Sequence, residues 1–214
     1  ILVLSHDEVV HLKCSMIAKM PGLYDDKFKN LKVAYAFMTG HPGKKLLFMG
    51  QEFGQWHEWD EKKELDWFLL DEDKHKDLQD FYRGLLHLYR RTPALYENDY
   101  DWSGFEWINC NDSYRSIFSF VRKSKTGRGN LLFVCNFTPM AYDDYRVGVP
   151  CRGRYTLLMD EEKGLYPKIG DAPSFLAEKS PCDGRDLSIA HPLPPYGILV
   201  YRFDYPRKRK STKK

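Results

Sequence analysis

What this sequence lacks already narrows it. No apolar run approaches the ~20 residues that cross a bilayer, so neither a membrane-spanning protein nor a membrane partner is expected. The five cysteines, Cys14, Cys110, Cys135, Cys151 and Cys182, are scattered, odd in number and without a Cys-x-x-Cys pair. A disulfide framework or a zinc site built on them is therefore not expected; buried free thiols of a reducing, cytoplasmic compartment fit better. No internal repeat is present, and no low-complexity segment other than the tail. Neither an initiator methionine nor a secretory leader is visible at Ile1. The 214 residues also fall short of the ~250 that a complete (β/α)8 barrel takes, so any barrel signature must belong to a partial barrel.

Acidic residues are missing from one place in particular. Tyr205 to Lys214 holds six basic residues and no acidic one, which leaves 27 basic against 30 acidic residues elsewhere. The net charge of +3 is thus a property of the tail and not of a nucleic-acid-binding face. No nucleic-acid partner is expected. The tail, residues 205–214, reads more simply as a solvated, disordered terminus than as a localisation or anion-binding patch.

What is present is ordinary globular chemistry, 43% apolar and 29% charged. The first hundred residues alternate strand, loop and helix. Ile1-Leu-Val-Leu4 is an apolar run suited to a strand buried on both faces, and Lys45-Leu-Leu-Phe-Met49 reads as a second. Leu31 to Met38 reads as helix with a Thr-Gly-His-Pro-Gly stop at 39–43, and Asp77 to Arg91 carries a broad amphipathic stripe ended by Thr92-Pro93. This is α/β grammar. After about Asn98 the pattern changes to short β-rich runs at 116–122, 130–137, 154–159 and 198–203, with further strands near 106–109, 145–149 and 187–190. Turn signals separate them, as in an antiparallel β-sandwich. The expected divisions are 1–98, 99–204 and the tail.

Two stretches are chemically suggestive. Ser5-His6-Asp7-Glu8 follows the first strand, and in parallel α/β architectures ligands are met at the C-terminal ends of strands. Asp7 can stabilise positive charge and His6 can donate to a hydroxyl, although such a pair is more often an ordinary loop. His6 and His11 lack helical i,i+4 spacing and a third ligand, so no metal is expected. The second strand opens into Gly50-Gln-Glu-Phe-Gly-Gln-Trp-His-Glu-Trp59, followed by Glu64-Leu-Asp-Trp67. Indoles stack on sugar rings while carboxylates and amides grip hydroxyls, so Glu52, Trp56 and Trp59 suit a carbohydrate; any single Trp packs under a loop at least as often.

These residues also carry a resemblance. Leu4-Ser-His-Asp-Glu-Val-Val-His11, Ser15-Met-Ile-Ala-Lys-Met-Pro-Gly22 and Phe48 to Trp59 with Leu65-Asp-Trp67 closely resemble glycogen (1,4-α-glucan) branching enzymes of the α-amylase superfamily. Val134-Cys-Asn-Phe-Thr-Pro139 resembles the β-domain that follows the barrel there. One departure is visible: Leu12 stands where Gly is expected. The resemblance implies the last two β/α units of a TIM-type (β/α)8 barrel followed by an antiparallel β-sandwich. It implies that Asp7 is the third catalytic carboxylate, the transition-state stabiliser, and that His6, Glu52, Trp56 and Trp59 bind substrate. It further implies an α-glucan partner, no cofactor, and a nucleophile and acid/base upstream of Ile1, so that the chain alone is inactive and its partner includes the missing N-terminal part. A related α-amylase-type hydrolase or debranching enzyme is one alternative; a non-catalytic carbohydrate-binding β-module is another.

Overall fold

A computed structural model of the chain describes residues 4–206. Residues 1–3 of the expected first strand, and the tail beyond Pro206, lie outside the described residues. Helix α1 (Met16–Lys19) starts at Ser15, whose hydroxyl accepts the Ala18 amide. Helix α2 (Tyr24–Gly40) begins earlier than its apolar stretch indicates, because Asp26 reaches back to accept the Leu23 amide at 3.2 Å. It stops at His41, which Pro42 forces into extended backbone (ψ 153°). Helix α3 (Asp73–Arg91) turns Leu78, Phe81, Tyr82, Leu85 and Leu88 inward and leaves its charged face to solvent.

Among the described residues nine strands follow: β1 (Phe105–Asp112), β2 (Ile117–Arg122), β3 (Asn130–Asn136), β4 (Tyr142–Val149), β5 (Arg154–Asp160), β6 (Gly164–Leu165), β7 (Ser174–Leu176), β8 (Leu187–Leu193) and β9 (Ile198–Phe203). The larger sheet runs β1-β2-β3-β9-β5-β6, with β7 also on β5, and β4 pairs β8 in a second sheet. Every pairing between these strands is antiparallel. The expected sandwich is therefore present, but its larger sheet is a middle layer. Phe120, Leu131, Phe133, Cys135, Ile198 and Val200 meet α2 and α3 on one face. Leu132, Val134, Tyr201 and Phe203 meet Tyr145, Val147 and Ile189 of the small sheet on the other. Covered on both faces, β3 is buried along its whole length, which is why Leu-Leu-Phe-Val-Cys shows no polar alternation.

The helical first half and the sheets share one core, and α2 lies at its centre. Gly40 ends α2 against the sheet so closely that a Cβ there would stand 2.7 Å from the Phe120 ring. Nearby, Arg122 joins three segments. Its guanidinium pairs with Asp99 at 2.6 Å and donates to the carbonyls of Gly40 at 2.8 Å and Gly104 at 3.3 Å.

The reading of residues 45–49 as a buried strand needs correction. Leu47 makes a single parallel bridge to Leu4, while Leu46 and Met49 are 43% and 51% exposed. A strand buried on both faces needs a neighbour on each side and a cover on each face. Among the described residues this run has one bridged neighbour only.

Candidate functional site

The site is built where the two bridged segments end. Ser5 leads into a short 3-10 turn, His6–Glu8, and its hydroxyl donates to Asp7 Oδ2 at 3.1 Å. His6 Nε2 lies 3.2 Å from Asp7 Oδ1, and both side chains are more than half exposed. Lys13 Nζ donates to the Asp7 carbonyl at 2.8 Å. His6 leans on Phe48 with ring centres 5.9 Å apart, and Phe48 meets Trp59 edge-on at 5.1 Å. His6, Asp7, Phe48 and Trp59 thus share one neighbourhood, beside an open cleft of about 430 Å³ that His6, His11, His57, Trp59 and Asp60 border.

The loop that carries Trp59 is held by its own residues. Gly50 (φ +89°) and Gly54 (φ +70°) flank the 3-10 turn Gln51–Phe53 in left-handed backbone, where a side chain is costly. A Cβ at Gly54 would also stand 3.1 Å from both Ile17 and Leu78. Buried Gln55 accepts the Asp66 amide at 3.1 Å and donates to the His57 carbonyl at 3.3 Å, tying the ends of the loop together. Glu58 Oε1 accepts the amides of Lys13 and Cys14 at 2.6 and 3.0 Å, and the Trp59 amide donates to the Val9 carbonyl at 3.1 Å. These bonds pin the segment in which His11 (φ 59°), Leu12 (φ 65°) and Cys14 (φ 65°) are all left-handed. Leu12 is 95% exposed, so no packing offsets its backbone strain; the position has the conformation a Gly would adopt freely.

The other expected site residues face different partners. Glu52 Oε2 accepts the Gly50 amide at 2.9 Å and so braces its own turn. Trp56 stacks on Tyr24 at 5.7 Å and meets Phe28 edge-on. Its indole N–H donates to His75 Nε2 at 3.2 Å, which leaves Nδ1 to carry the proton toward the Phe53 carbonyl at 2.7 Å. This buried chain links the loop to α3 through a fixed tautomer. Glu52 and Trp56 therefore border the frame of the loop, apart from the His6–Trp59 neighbourhood. One pair escaped sequence reasoning: His57 Nδ1 lies 2.7 Å from Asp66 Oδ2, with His57 79% exposed. The chemistry of both residues is plain in the sequence, but their meeting depends on the closure that Gln55 enforces.

Family comparison agrees with the layering. Residues 107–204 match the α-amylase C-terminal all-beta domain, and the strands in that stretch are paired antiparallel. Over almost its whole length the likeness is to the C-terminal part of a branching enzyme. The chain is 54% identical over 205 residues to the 1,4-alpha-glucan branching enzyme GlgB of Butyrivibrio fibrisolvens, covering 95% of this chain and 32% of that enzyme. It is 45% identical over 206 residues to the GlgB of Aquifex aeolicus, covering 95% and 33%. The chain thus spans about a third of the length of these relatives. In fold it is similar to a pullulanase type I from Bacillus subtilis solved with maltose, at a TM-score of 0.65 and 14% identity, covering 96% of this chain and 27% of that one. No helix among the described residues is long and apolar enough to cross a membrane.

Proposed function

We propose that this chain is a C-terminal section of a 1,4-α-glucan branching enzyme and supplies one wall of its active site. The observation that carries the reading is the 54% and 45% identity to branching enzymes along 95% of the chain. The parallel bridge between Leu4 and Leu47, with α2 between the two segments, supports a pair of β/α units from the end of a barrel. In this reading the barrel part is 1–98 and the β-domain 99–204.

The chemistry assigned to the parent is a retaining transfer. One carboxylate forms a glycosyl-enzyme and a second, only ~5 Å away, protonates the leaving oxygen. The 6-hydroxyl of another glucan then takes the intermediate in place of water. Both of those carboxylates are assigned to the remainder of the parent, which is accordingly this chain's partner. Asp7, exposed and held by Ser5, is suited to stabilise the oxocarbenium-like transition state. His6 is suited to bond a sugar hydroxyl, and Trp59 to stack on a ring. Glu52 and Trp56 act on the substrate indirectly, by holding the loop. No cofactor enters this scheme. A reducing, cytoplasmic setting belongs to the same reading; Cys135 and Cys151 are buried as expected of such thiols, whereas Cys14 and Cys110 are exposed.

The test has two arms. The chain alone, incubated with amylose, should change neither iodine absorbance nor reducing ends; sustained turnover would overturn the assignment. In the parent enzyme, Asp7→Asn should lower kcat by roughly 100-fold or more, with far-UV circular dichroism unchanged. Near-normal kcat would remove Asp7 from the mechanism.

A further inference from the structure

Far along the sequence from the His6–Trp59 neighbourhood, a second cleft of about 380 Å³ opens between the C-terminal end of α3 and the larger sheet. Its floor is apolar, with Leu88, Leu131, Leu158 and Leu165 beside Tyr166. Three arginines from three separate segments line it: Arg91 from the last turn of α3, Arg128 from the turn between β2 and β3, and Arg202 from β9. Among the described residues, no carboxylate lines the cleft. Among the same residues, the arginines engaged in ion pairs are Arg83, Arg115, Arg122, Arg146 and Arg185; these three are not among them. The nearby carboxylates have other donors. Asp204 accepts the Gly129 amide at 2.6 Å, and Asp160 accepts the Tyr166 hydroxyl at 2.9 Å.

Three arginines border one concavity, and a guanidinium fork matches phosphate oxygens in pairs. The apolar floor meanwhile favours a flat ring over a hydroxyl-rich sugar. The volume is in the range of small-molecule sites. We propose that this cleft binds a phosphorylated ligand bearing an aromatic ring, of mononucleotide size, with phosphate on the arginines and the base over the leucine floor beside Tyr166. The site is separate from the proposed glucan-binding wall. A ligand there would bridge α3, which borders the Gly50–Trp59 loop through His75, and the β-domain.

The probe is adenosine 5′-monophosphate titrated into the full chain by calorimetry, with adenosine and inorganic phosphate as partial probes. The monophosphate should bind saturably and at least about tenfold tighter than either fragment, because only the whole ligand engages both the floor and the arginines. Arg128 lies exposed on a turn, so Arg128→Glu should weaken binding by about tenfold or more without altering the unfolding midpoint. Backbone amide shifts in the titration should centre on 165–166 and 128–129 and leave 57–59 still. Absence of saturable binding up to about 10 mM would overturn the proposal. So would indifference to Arg128→Glu, or shifts centred on the His57 loop. Phosphate binding as tight as the monophosphate would overturn the nucleotide assignment by removing the role of the floor.

Discussion

The Arg122–Asp99 pair is where the shared core is most exposed to test. Both side chains are fully buried, and the pair joins strand β2 to the segment between α3 and β1. The guanidinium also satisfies the carbonyls of Gly40 and Gly104, one at the end of α2. Burial pushes the Arg122 pKa down from its usual value while Asp99 pulls it back, so the group stays charged at all ordinary pH. Replacing it with Met keeps most of the apolar stem but leaves the Asp99 carboxylate in the core. One of that carboxylate's oxygens, Oδ2, already has no hydrogen-bond partner. Breaking one side of such a pair costs about 3–5 kcal/mol, a large share of the ~5–15 kcal/mol that holds a typical domain together.

A double-mutant cycle separates the buried charge from the rest. Arg122→Met should lose about 3–5 kcal/mol in urea unfolding followed by tryptophan fluorescence, equivalent to roughly 6–20 °C in Tm for a chain of this size. Adding Asp99→Leu removes the stranded carboxylate and should restore part of that loss. The orphaned carbonyls of Gly40 and Gly104 keep the double variant below wild type by about 1–3 kcal/mol. An Arg122→Met loss under about 1 kcal/mol would refute the argument, and so would strictly additive single losses.

Three further outcomes follow from local geometry. Gly40→Ala sets a methyl 2.7 Å from the Phe120 ring, so overpacking should cost about 1–3 kcal/mol in the same urea assay; an unchanged midpoint would mean that α2 and the sheet separate freely. Leu12→Gly should leave stability unchanged or raise it by up to about 1 kcal/mol, because relief of left-handed strain is set against greater unfolded-state entropy. A clear drop in Tm would show that the exposed Leu12 has a partner. Burial, then the Arg122 charge, lowers the Lys45 pKa from 10.5 to about 8. The unfolded chain therefore binds more protons between these values, and the Lys45 contribution to stability rises with pH through that window. The stability of wild type relative to Lys45→Met should increase by about 1–2 kcal/mol from pH ~7.5 to ~10, and a flat difference would contradict the shift.

Much of this architecture was legible because the β-rich runs sit between strong turn signals. The runs at 116–122, 130–137, 154–159 and 198–203 correspond to β2, β3, β5 and β9 within one residue at each end. Strands β6 and β7 are two and three residues long, and β5 supplies their pairing, so no local pattern announces them. The middle-layer position of the larger sheet was harder still. The apolar run of β3 implies two covered faces, but not that one cover is α2. The run at 45–49 shows the converse: an apolar run becomes a buried strand only where neighbours cover it. At the site, His6–Asp7 was legible because the residues are adjacent, whereas His57–Asp66 required a loop closure made by Gln55.

The same contrast explains how carboxylates and indoles of similar appearance divide their work. Glu58 borders the cleft and Asp7 adjoins it through His6, yet Glu58 spends an oxygen on two backbone amides while Asp7, braced by Ser5 and His6, keeps an exposed side chain. Trp56 and Trp59 are three residues apart. Trp56 is committed to His75, Tyr24 and Phe28, whereas Trp59 touches Phe48 at the rim. His75 has no exposed side-chain surface, so its two bonds transmit the position of α3 directly to the Gly50–Trp59 loop. A shift of the His75 end of α3 must therefore carry this loop with it or break a buried hydrogen bond. The second course costs about 1–3 kcal/mol for the group left unpaired.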